Sequence, residues 1–305
     1  MRILITGIHG FVGSNLIASY RGQHTIYGLD IVSPHKEGVV ATFAWDRFDS
    51  IPPVDVIIHL AGKAHDTRKQ TNAELYFEIN TGLTQKVYNW FLKSEAKTFI
   101  FFSSVKAAAE IVEECLTEDV IPKPIGPYGE SKLAAENYIS EKMSESKRVY
   151  ILRPSMIHGP DNKGNLNLLY KLVSKGIPWP LGVFKNGRSF TSIGNIQYIV
   201  SRLMEGEIES GIYNVADDEA LSTNYLIQLI AESNGRKTKI WMVNKKMIYF
   251  LSRIGDFLML PLNSERLKKL TESYIVSNSK LKKALGIERM PISTEEGMKN
   301  TLSSL

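Results

Sequence analysis

The sequence predicts an α/β protein built on a doubly wound parallel sheet, and three observations support this. Short apolar runs rich in β-branched residues recur along the first half of the chain, as buried parallel strands do. Helical segments alternate with these runs, which is the order of elements that builds a parallel sheet. After Gly159-Pro160 the alternation is lost and a stretch rich in Asn, Gly and Pro follows. We therefore predict a smaller, mixed C-terminal part.

The first thirty residues carry the most informative pattern. A predicted strand, residues 2–6, leads into a turn that contains Gly7, Gly10 and Gly13. A predicted helix follows, and a second strand, residues 25–29, ends at Asp30. Glycines allow the backbone to approach a pyrophosphate, and a helix N-terminus supplies amide donors for it. This order of elements is typical of a dinucleotide-binding unit.

Asp30 favours NAD over NADP as the dinucleotide. A carboxylate at this position accepts hydrogen bonds from the ribose hydroxyls, whereas a 2'-phosphate would be repelled by it. The glycine spacing is GxxGxxG and departs from the usual GxGxxG, so the glycines alone are weak evidence. The prediction of a dinucleotide-binding unit rests on the two strands and on Asp30 at the end of the second strand.

The remaining strands and helices are predicted in order along the chain. Strands are expected at 39–45, which ends before Asp46, and at 54–60, 98–102 and 149–152. Long helices are expected at 71–93 and 128–143. Ligands of such sheets bind beyond the carboxyl ends of the strands. The residues that fall at this edge are Asp30, Gly62, Ser104 and Pro154.

Composition narrows the class of protein. A chain of 305 residues at 43% hydrophobic can bury a large core, in one domain or two closely packed ones. The net charge of +5 arises from interspersed charges and does not indicate a nucleic-acid partner. Cys115 is the sole cysteine, so neither a disulfide framework nor a Cys-based metal site is expected. Because the first strand begins at Arg2, we expect no signal peptide and a cytoplasmic location.

The segment from Trp241 to Leu262 is apolar but carries four charged residues, Lys245, Lys246, Arg253 and Asp256. That is too many charges for a bilayer span. A packed amphipathic helix is the simpler interpretation, and a helix lying on a membrane surface is the alternative.

Tyr128 and Lys132 lie four residues apart and therefore share one face of the predicted helix. A nearby cation, together with an oxidised nicotinamide ring, lowers a phenol's pKa and makes it a general base for an alcohol proton. Ser104, at a strand end, can bond the same substrate oxygen. Tyr138 and Lys142 repeat the spacing roughly 15 Å further along the helix, and we interpret them as a surface pair.

These motifs together resemble the extended short-chain dehydrogenase/reductase family, in particular its NAD-dependent nucleotide-sugar epimerase/dehydratase branch with UDP-glucose 4-epimerase-like members. The resemblance covers nearly the whole chain. Its carriers are Thr6 to Gly13, His59-Leu60-Ala61-Gly62, Asn80, Ser103-Ser104, Pro127 to Lys132, Leu152-Arg153-Pro154 and Gly211 to Val215. It implies a Rossmann fold over residues 1–161, to which 190–220 return. Residues 162–189 and 221–305 would then form the substrate-binding part.

The resemblance also implies roles for single residues. Catalysis would use Tyr128, Lys132 and Ser104. NAD would contact Gly7, Gly10, Phe11, Val12, Gly13, Asp30, Asp46, Leu60, Ala61, Gly62, Asn80, Tyr128, Lys132 and Pro154. The substrate would contact Ser104, Asn165, Leu166 and Arg188, the last through its diphosphate. Arg266 or Lys269 is a further candidate phosphate contact.

The implied reaction is epimerisation at C4 of a nucleotide sugar, most simply a UDP-sugar, through a transient 4-keto intermediate. Two alternatives stay open: a 4-keto-sugar reductase of polysaccharide precursor synthesis that uses NADH or NADPH, and a non-catalytic NAD-binding sensor. Val105 and Lys106 stand where sugar dehydratases carry Asp-Glu, so dehydration is not expected. His158 replaces the family's usual tyrosine, and we interpret it as structural. The resemblance also allows a homodimer.

Overall fold

The computed structural model describes residues 1–31, 35–63, 72–162, 165–258 and 263–305. Its strands are β1 (Arg2–Thr6), β2 (Thr25–Leu29), β3 (Ala41–Phe43), β4 (Val56–His59), β5 (Thr98–Phe102), β6 (Arg148–Pro154), β7 (Met156–His158), β8 (Phe190–Ser192) and β9 (Gly211–Val215). Within these described ranges, seven strands form one parallel sheet in the order β3-β2-β1-β4-β5-β6-β9. β7 and β8 pair separately.

Helices pack on both faces of the sheet and form the C-terminal part. They are α1 (Phe11–Tyr20), α2 (Ala73–Tyr76), α3 (Leu83–Lys93), α4 (Pro127–Glu141), α5 (Asn165–Ser174), α6 (Ile193–Glu205), α7 (Thr223–Ser233), α8 (Lys245–Phe257), α9 (Ser264–Thr271), α10 (Ser279–Leu285) and α11 (Thr294–Leu302). In these parts of the chain, none of the helices has the length and apolar character that crossing a bilayer requires.

The sheet is covered on both sides, so its central strands are apolar throughout. Every residue of β4 and β5 is buried. One hydrophobic core joins α1 and α6 to the sheet through residues such as Leu16 and Ile199. The other joins α3 and α4 to the opposite face through Val87 and Ile139. The predicted doubly wound parallel sheet is confirmed.

A separate hydrophobic core lies in the C-terminal part, where Trp179, Ile230 and Met298 are buried. β9 returns from this part to pair with β6 and extends the sheet. The division of the chain at residue 161 stays a prediction.

The helix predicted at 71–93 is found as helical backbone from residue 73 to 93, but it is not a uniform α-helix. Residue 71 lies outside the described residues, and α2 is separated from α3 by a π-helical turn, Phe77–Gly82. Such turns add one residue to a helix and often occur at functional sites. Here the turn carries Asn80, whose side chain is fully buried.

Candidate active site

A cavity of about 340 Å³ opens at the carboxyl ends of the central strands. The sequence-predicted residues that line it are Gly7, Gly10, Phe11, Val12, Gly13, Leu60, Gly62, Ser104, Tyr128, Lys132 and Pro154. Residues from the first turn and from α4 thus meet in one space, although more than a hundred positions separate them in the chain.

At two positions of the glycine turn, a residue larger than glycine would be strained or would clash. Gly7 has φ +70°, a conformation that favours glycine, and its amide donates to Leu29 O at 2.9 Å. A Cβ at Gly13 would lie 2.5 Å from Gly7 O. The turn and the helix after it are therefore packed as closely as a backbone allows.

α1 begins without a side-chain cap. Its N-cap residue is Gly10, whereas Ser192, Ser222, Asn244 and Ser293 each accept a hydrogen bond from an amide two or three residues further along. The first residues of α1, which line the cavity, present amide donors and the positive end of the helix dipole there. With the glycine turn, this forms a cradle that fits the pyrophosphate of a dinucleotide.

Asp30 lies beside the glycine turn. Its carboxylate accepts hydrogen bonds from His9 N at 3.2 Å and Ile31 N at 2.7 Å. Lys36 also lies against this turn, and its Nζ donates to Ser14 Oγ at 2.6 Å. This lysine is not among the site residues predicted from the sequence. Burial lowers the pKa of Lys36, and Asp30 partly offsets this. Asp46 is exposed and lies outside the cavity lining, so its cofactor role stays a prediction.

Ser104 and Tyr128 both line the cavity, and Ser104 lies near enough to the phenol for a side-chain hydrogen bond to influence its pKa. Lys106 N donates to Ser104 Oγ at 3.2 Å, so the hydrogen of the Ser104 hydroxyl is available to the tyrosine oxygen or to a ligand. Burial raises the pKa of Tyr128, and the bond to Ser104 partly offsets this. The lowered pKa expected with a cation and oxidised NAD beside the phenol stays a prediction; in the protein alone, burial is the largest contribution to the pKa of Tyr128.

Lys132 is buried at the cavity wall. Its Nζ donates to Phe102 O at 2.9 Å and lies 4.9 Å from the centre of the Phe101 ring. Burial lowers the pKa of Lys132 to about 8, with Glu136 acting in the opposite direction. The Tyr138 and Lys142 pair is confirmed as a surface feature: Tyr138 donates to Asn89 Oδ1 at 2.7 Å, and Lys142 lies over its ring.

Asn80 connects three elements behind the cavity. Its Nδ2 donates to Ser131 Oγ at 3.0 Å, and its Oδ1 accepts from Lys63 N at 2.7 Å. A Cβ at Gly62 would lie 2.9 Å from this Oδ1 and 3.2 Å from Lys132 Nζ. The side chains of Asn80 and Lys132 therefore both pack against Gly62, and the π-helical turn places the asparagine there.

His59 forms a buried chain of hydrogen bonds that fixes its tautomer. Thr84 Oγ1 donates to Asn80 O and so accepts from His59 Nε2 at 3.0 Å. Thr6 Oγ1 accepts from Ala61 N and donates to His59 Nδ1 at 2.7 Å. Burial lowers the pKa of His59 to about 3, and Lys132 adds to this, so the ring is neutral. The chain links β1 through β4 to α3.

Gly129 places the start of α4 against the turn after β5. A Cβ at Gly129 would lie 2.4 Å from Lys106 O. This close approach brings Tyr128 to Ser104. The sequence offers the signal in retrospect, since the glycine follows the tyrosine directly.

Apart from Ser104, the residues predicted to bind substrate lie outside the cavity lining. Arg188 donates to Lys269 O, and Arg188 and Lys269 both help burial to lower the pKa of Lys106. These three cations are thus close enough to influence one another. Leu166 is buried in the C-terminal core, and the side chain of Asn165 lies outside the described residues. Both substrate assignments stay predictions.

His158 lies away from the cavity lining, in contact with the last helix. Its Nδ1 bonds Thr301 Oγ1 at 2.8 Å, and its Nε2 lies 3.5 Å from Asp217 Oδ2. The histidine joins β7 to α11, in agreement with a structural role.

Comparison with known proteins identifies the family. The model of the NAD dependent epimerase/dehydratase family matches residues 3–216. UDP-glucose 4-epimerase of Vibrio cholerae is 30% identical and covers 98% of this chain and 94% of its own. The N-acetyl-alpha-D-glucosaminyl-diphospho-ditrans,octacis-undecaprenol 4-epimerase of Escherichia coli O157:H7 is 27% identical over 92% of this chain and 84% of its own.

A solved structure agrees with the fold. UDP-glucuronic acid 4-epimerase from Bacillus cereus, in complex with NAD, gives a TM-score of 0.76 at 19% identity, covering 100% of this chain and 96% of that one. The glycine cradle described above fits the same cofactor. With a family match over more than half of its length, the chain belongs to the NAD-dependent epimerase/dehydratase family and is an NAD-dependent enzyme.

Proposed function

We propose that the protein epimerises a UDP-linked sugar at C4. The observation that carries the proposal is that Ser104, Tyr128 and Lys132 line one cavity together with the glycine cradle. A hydroxyl pair of this kind moves a proton to or from a sugar hydroxyl, and its place beside the cradle suits a reaction that combines proton and hydride transfer.

The residues that would hold NAD are those of the glycine turn, with Asp30 on the ribose and Asn80 and Lys132 behind the cavity. When bound there, NAD would supply reversible hydride transfer at C4, so that no cofactor is consumed overall. The remaining tasks belong to the chain: to bind the sugar, to orient its hydroxyl and to hold its proton.

As a phenolate, which the positive ring of oxidised NAD would stabilise, Tyr128 would take the proton of the C4 hydroxyl, and Ser104 would donate its available hydrogen to the same substrate oxygen. The Lys132 ammonium carries three N–H donors, and within the described residues one is donated to Phe102 O. The others can reach ligand hydroxyls at the cavity wall. The same groups return the proton when the ketone is reduced.

The cations Arg188, Lys106 and Lys269 would bind the substrate's diphosphate. A planar guanidinium suits phosphate oxygens, and partial burial strengthens the attraction. Lys106 is also paired with Glu110 at 3.0 Å, and Val105 is buried in a hydrophobic cluster. In sugar dehydratases the positions of Val105 and Lys106 hold an acid and a base, so dehydration is not part of the proposal.

The test is turnover without added cofactor. The purified protein is incubated with UDP-hexoses and, because one relative is named for a polyprenol-linked sugar, with a diphospho-polyprenol N-acetylhexosamine. Proton NMR follows the configuration at C4. Interconversion supports the proposal. No interconversion across the panel, with one NADH oxidised per 4-keto sugar reduced, would establish the reductase instead. NAD binding without either activity would establish a sensor.

A further inference from the structure

Helix α8 exposes a continuous apolar stripe. Its members are each between 37% and 87% exposed, and they are Met247, Phe250, Leu251, Ile254, Phe257 and Leu258. At 100° per residue, these side chains span roughly 120° of the helix circumference. The helix buries a different face, formed by Ile248, Ser252 and Gly255, against the protein. The exposed stripe is thus additional to the packing face.

The border of the stripe is basic. Lys246 and Arg253 follow it along the side away from the buried face, and both are exposed. The acid of this helix, Asp256, lies roughly 160° from the middle of the stripe, beyond Arg253. Its carboxylate accepts hydrogen bonds from Ser264 N at 2.9 Å and from Ser264 Oγ at 2.5 Å, at the start of α9. The face therefore combines large apolar groups with net positive charge.

The residues just before the helix extend this character. Trp241 is 56% exposed and Met242 is 71% exposed. Tryptophan is enriched at the boundary between headgroups and hydrocarbon. Large patches of exposed apolar side chains mark surfaces that bind a membrane or another molecule.

We propose that α8 and residues 241–242 dock the protein on an anionic lipid bilayer, with the helix lying in the plane of the interface. Phe250 and Phe257 would enter the boundary between headgroups and acyl chains, and Lys246 and Arg253 would contact anionic headgroups. The positive border is the reason for choosing a bilayer over a second copy of this chain. This inference does not depend on the reaction assigned to the cavity.

The experiment is flotation of the full-length protein with vesicles of phosphatidylcholine alone or mixed with phosphatidylglycerol. We expect binding to the mixed vesicles and little to the neutral ones. Phe257→Glu should lower the fraction bound at least tenfold, because it places a carboxylate in the apolar layer. Val40→Glu, which changes a side chain that is 67% exposed on the sheet domain, is the control and should bind as the wild type does.

A second pair of variants tests whether binding needs positive charge at the border of the stripe or only the net charge of the protein. Lys246→Glu and Lys283→Glu alter net charge equally, and both lysines are exposed. The first should weaken binding to anionic vesicles more than fivefold and the second should not. The proposal is overturned if the wild type binds neither vesicle or if Phe257→Glu binds normally. It is also overturned if light scattering shows an oligomer that Phe257→Glu dissociates while vesicles bind nothing, because the stripe would then be an interface between copies.

Discussion

Glu136 and Arg153 form a buried two-point ion pair: Arg153 Nε lies 3.0 and 3.1 Å from the two carboxylate oxygens, and a terminal guanidinium nitrogen lies 2.6 Å from Oε2. The two side chains are 1% and 2% exposed. Ser103 also donates to Glu136. The carboxylate therefore joins α4, which carries Tyr128 and Lys132, to the ends of β5 and β6.

Replacing one partner of this pair should be costly. Glu136→Gln leaves the Arg153 cation buried without a counter-charge, and we expect a loss of about 3–5 kcal/mol in the free energy of unfolding. Urea unfolding measures it. The double variant Glu136→Leu/Arg153→Met removes both charges and should lose less than the single one. A single variant within about 1 kcal/mol of wild type, below the range for a broken buried pair, would contradict the role assigned to the pair.

Tyr128→Phe should lower turnover by about 10² to 10⁴ while NAD still binds, because only the oxygen that transfers the proton is lost. Tyr138→Phe is the matched control, since it removes the hydroxyl of the other YxxxK pair on the same helix. Steady-state rates and a cofactor titration give both quantities. Equal losses of rate in the two variants would mean that Tyr128 is not the proton-transfer group.

Asp30 should set a preference for NADH over NADPH. Asp30→Ala removes the repulsion of a 2'-phosphate and leaves Lys36 at the same turn, so NADPH affinity should rise by up to about fivefold, or roughly 1 kcal/mol. The variant Asp30→Ala/Lys36→Gln should lose that gain. Fluorescence titration of the two cofactors checks it. Tighter NADPH binding in the wild type would refute the assignment of Asp30.

Gly129→Ala should separate Ser104 from Tyr128, because the new methyl group would lie 2.4 Å from Lys106 O. We expect a loss of about 1–3 kcal/mol in the free energy of unfolding, with reduced turnover. Gly82→Ala is the control: its Cβ would meet nothing closer than Phe77 O at 3.8 Å, so stability should be kept or improved. Urea unfolding that ranks the two variants equally would show that the contact is readily relieved.

Lys132 should make stability depend on alkaline pH. Its pKa in the folded protein is about 8, below the ordinary 10.5, so between these values the unfolded chain binds more protons. The cost of the buried charge is fully present below pH 8 and declines as pH rises toward 10.5. Relative to Lys132→Met, the wild type should gain up to about 1.4 kcal/mol per pH unit in this window.

Urea unfolding at pH 7, 8, 9 and 10 measures this difference, and Lys142→Met, at an exposed position, controls for general effects of alkaline pH. A constant difference between wild type and Lys132→Met over the range would mean that the folded and unfolded chains hold the Lys132 proton equally.

Local patterns were enough to predict the glycine turn, Asp30 and the shared face of Tyr128 and Lys132, because strand and helix periods are encoded by neighbouring residues. The ion pair of Glu136 with Arg153 was not predictable, since each residue alone is typical of a protein surface. The effect of burial on the Tyr128 pKa was not predictable, because spacing does not encode burial. The π-helical turn was missed because the apolar pattern of 71–93 fits a regular helix.

The position of β9 has a consequence for synthesis of the chain. Six strands of the sheet are complete at Pro154, but β6 receives its second neighbour only when residues 211–215 have emerged. Until then the hydrogen-bonding edge of β6, an apolar strand, is open to pairing with another chain. At ribosomal rates of 5–20 residues per second, this interval lasts roughly 3–12 seconds. We therefore expect nascent chains to be prone to aggregate while residues 155–215 are still emerging.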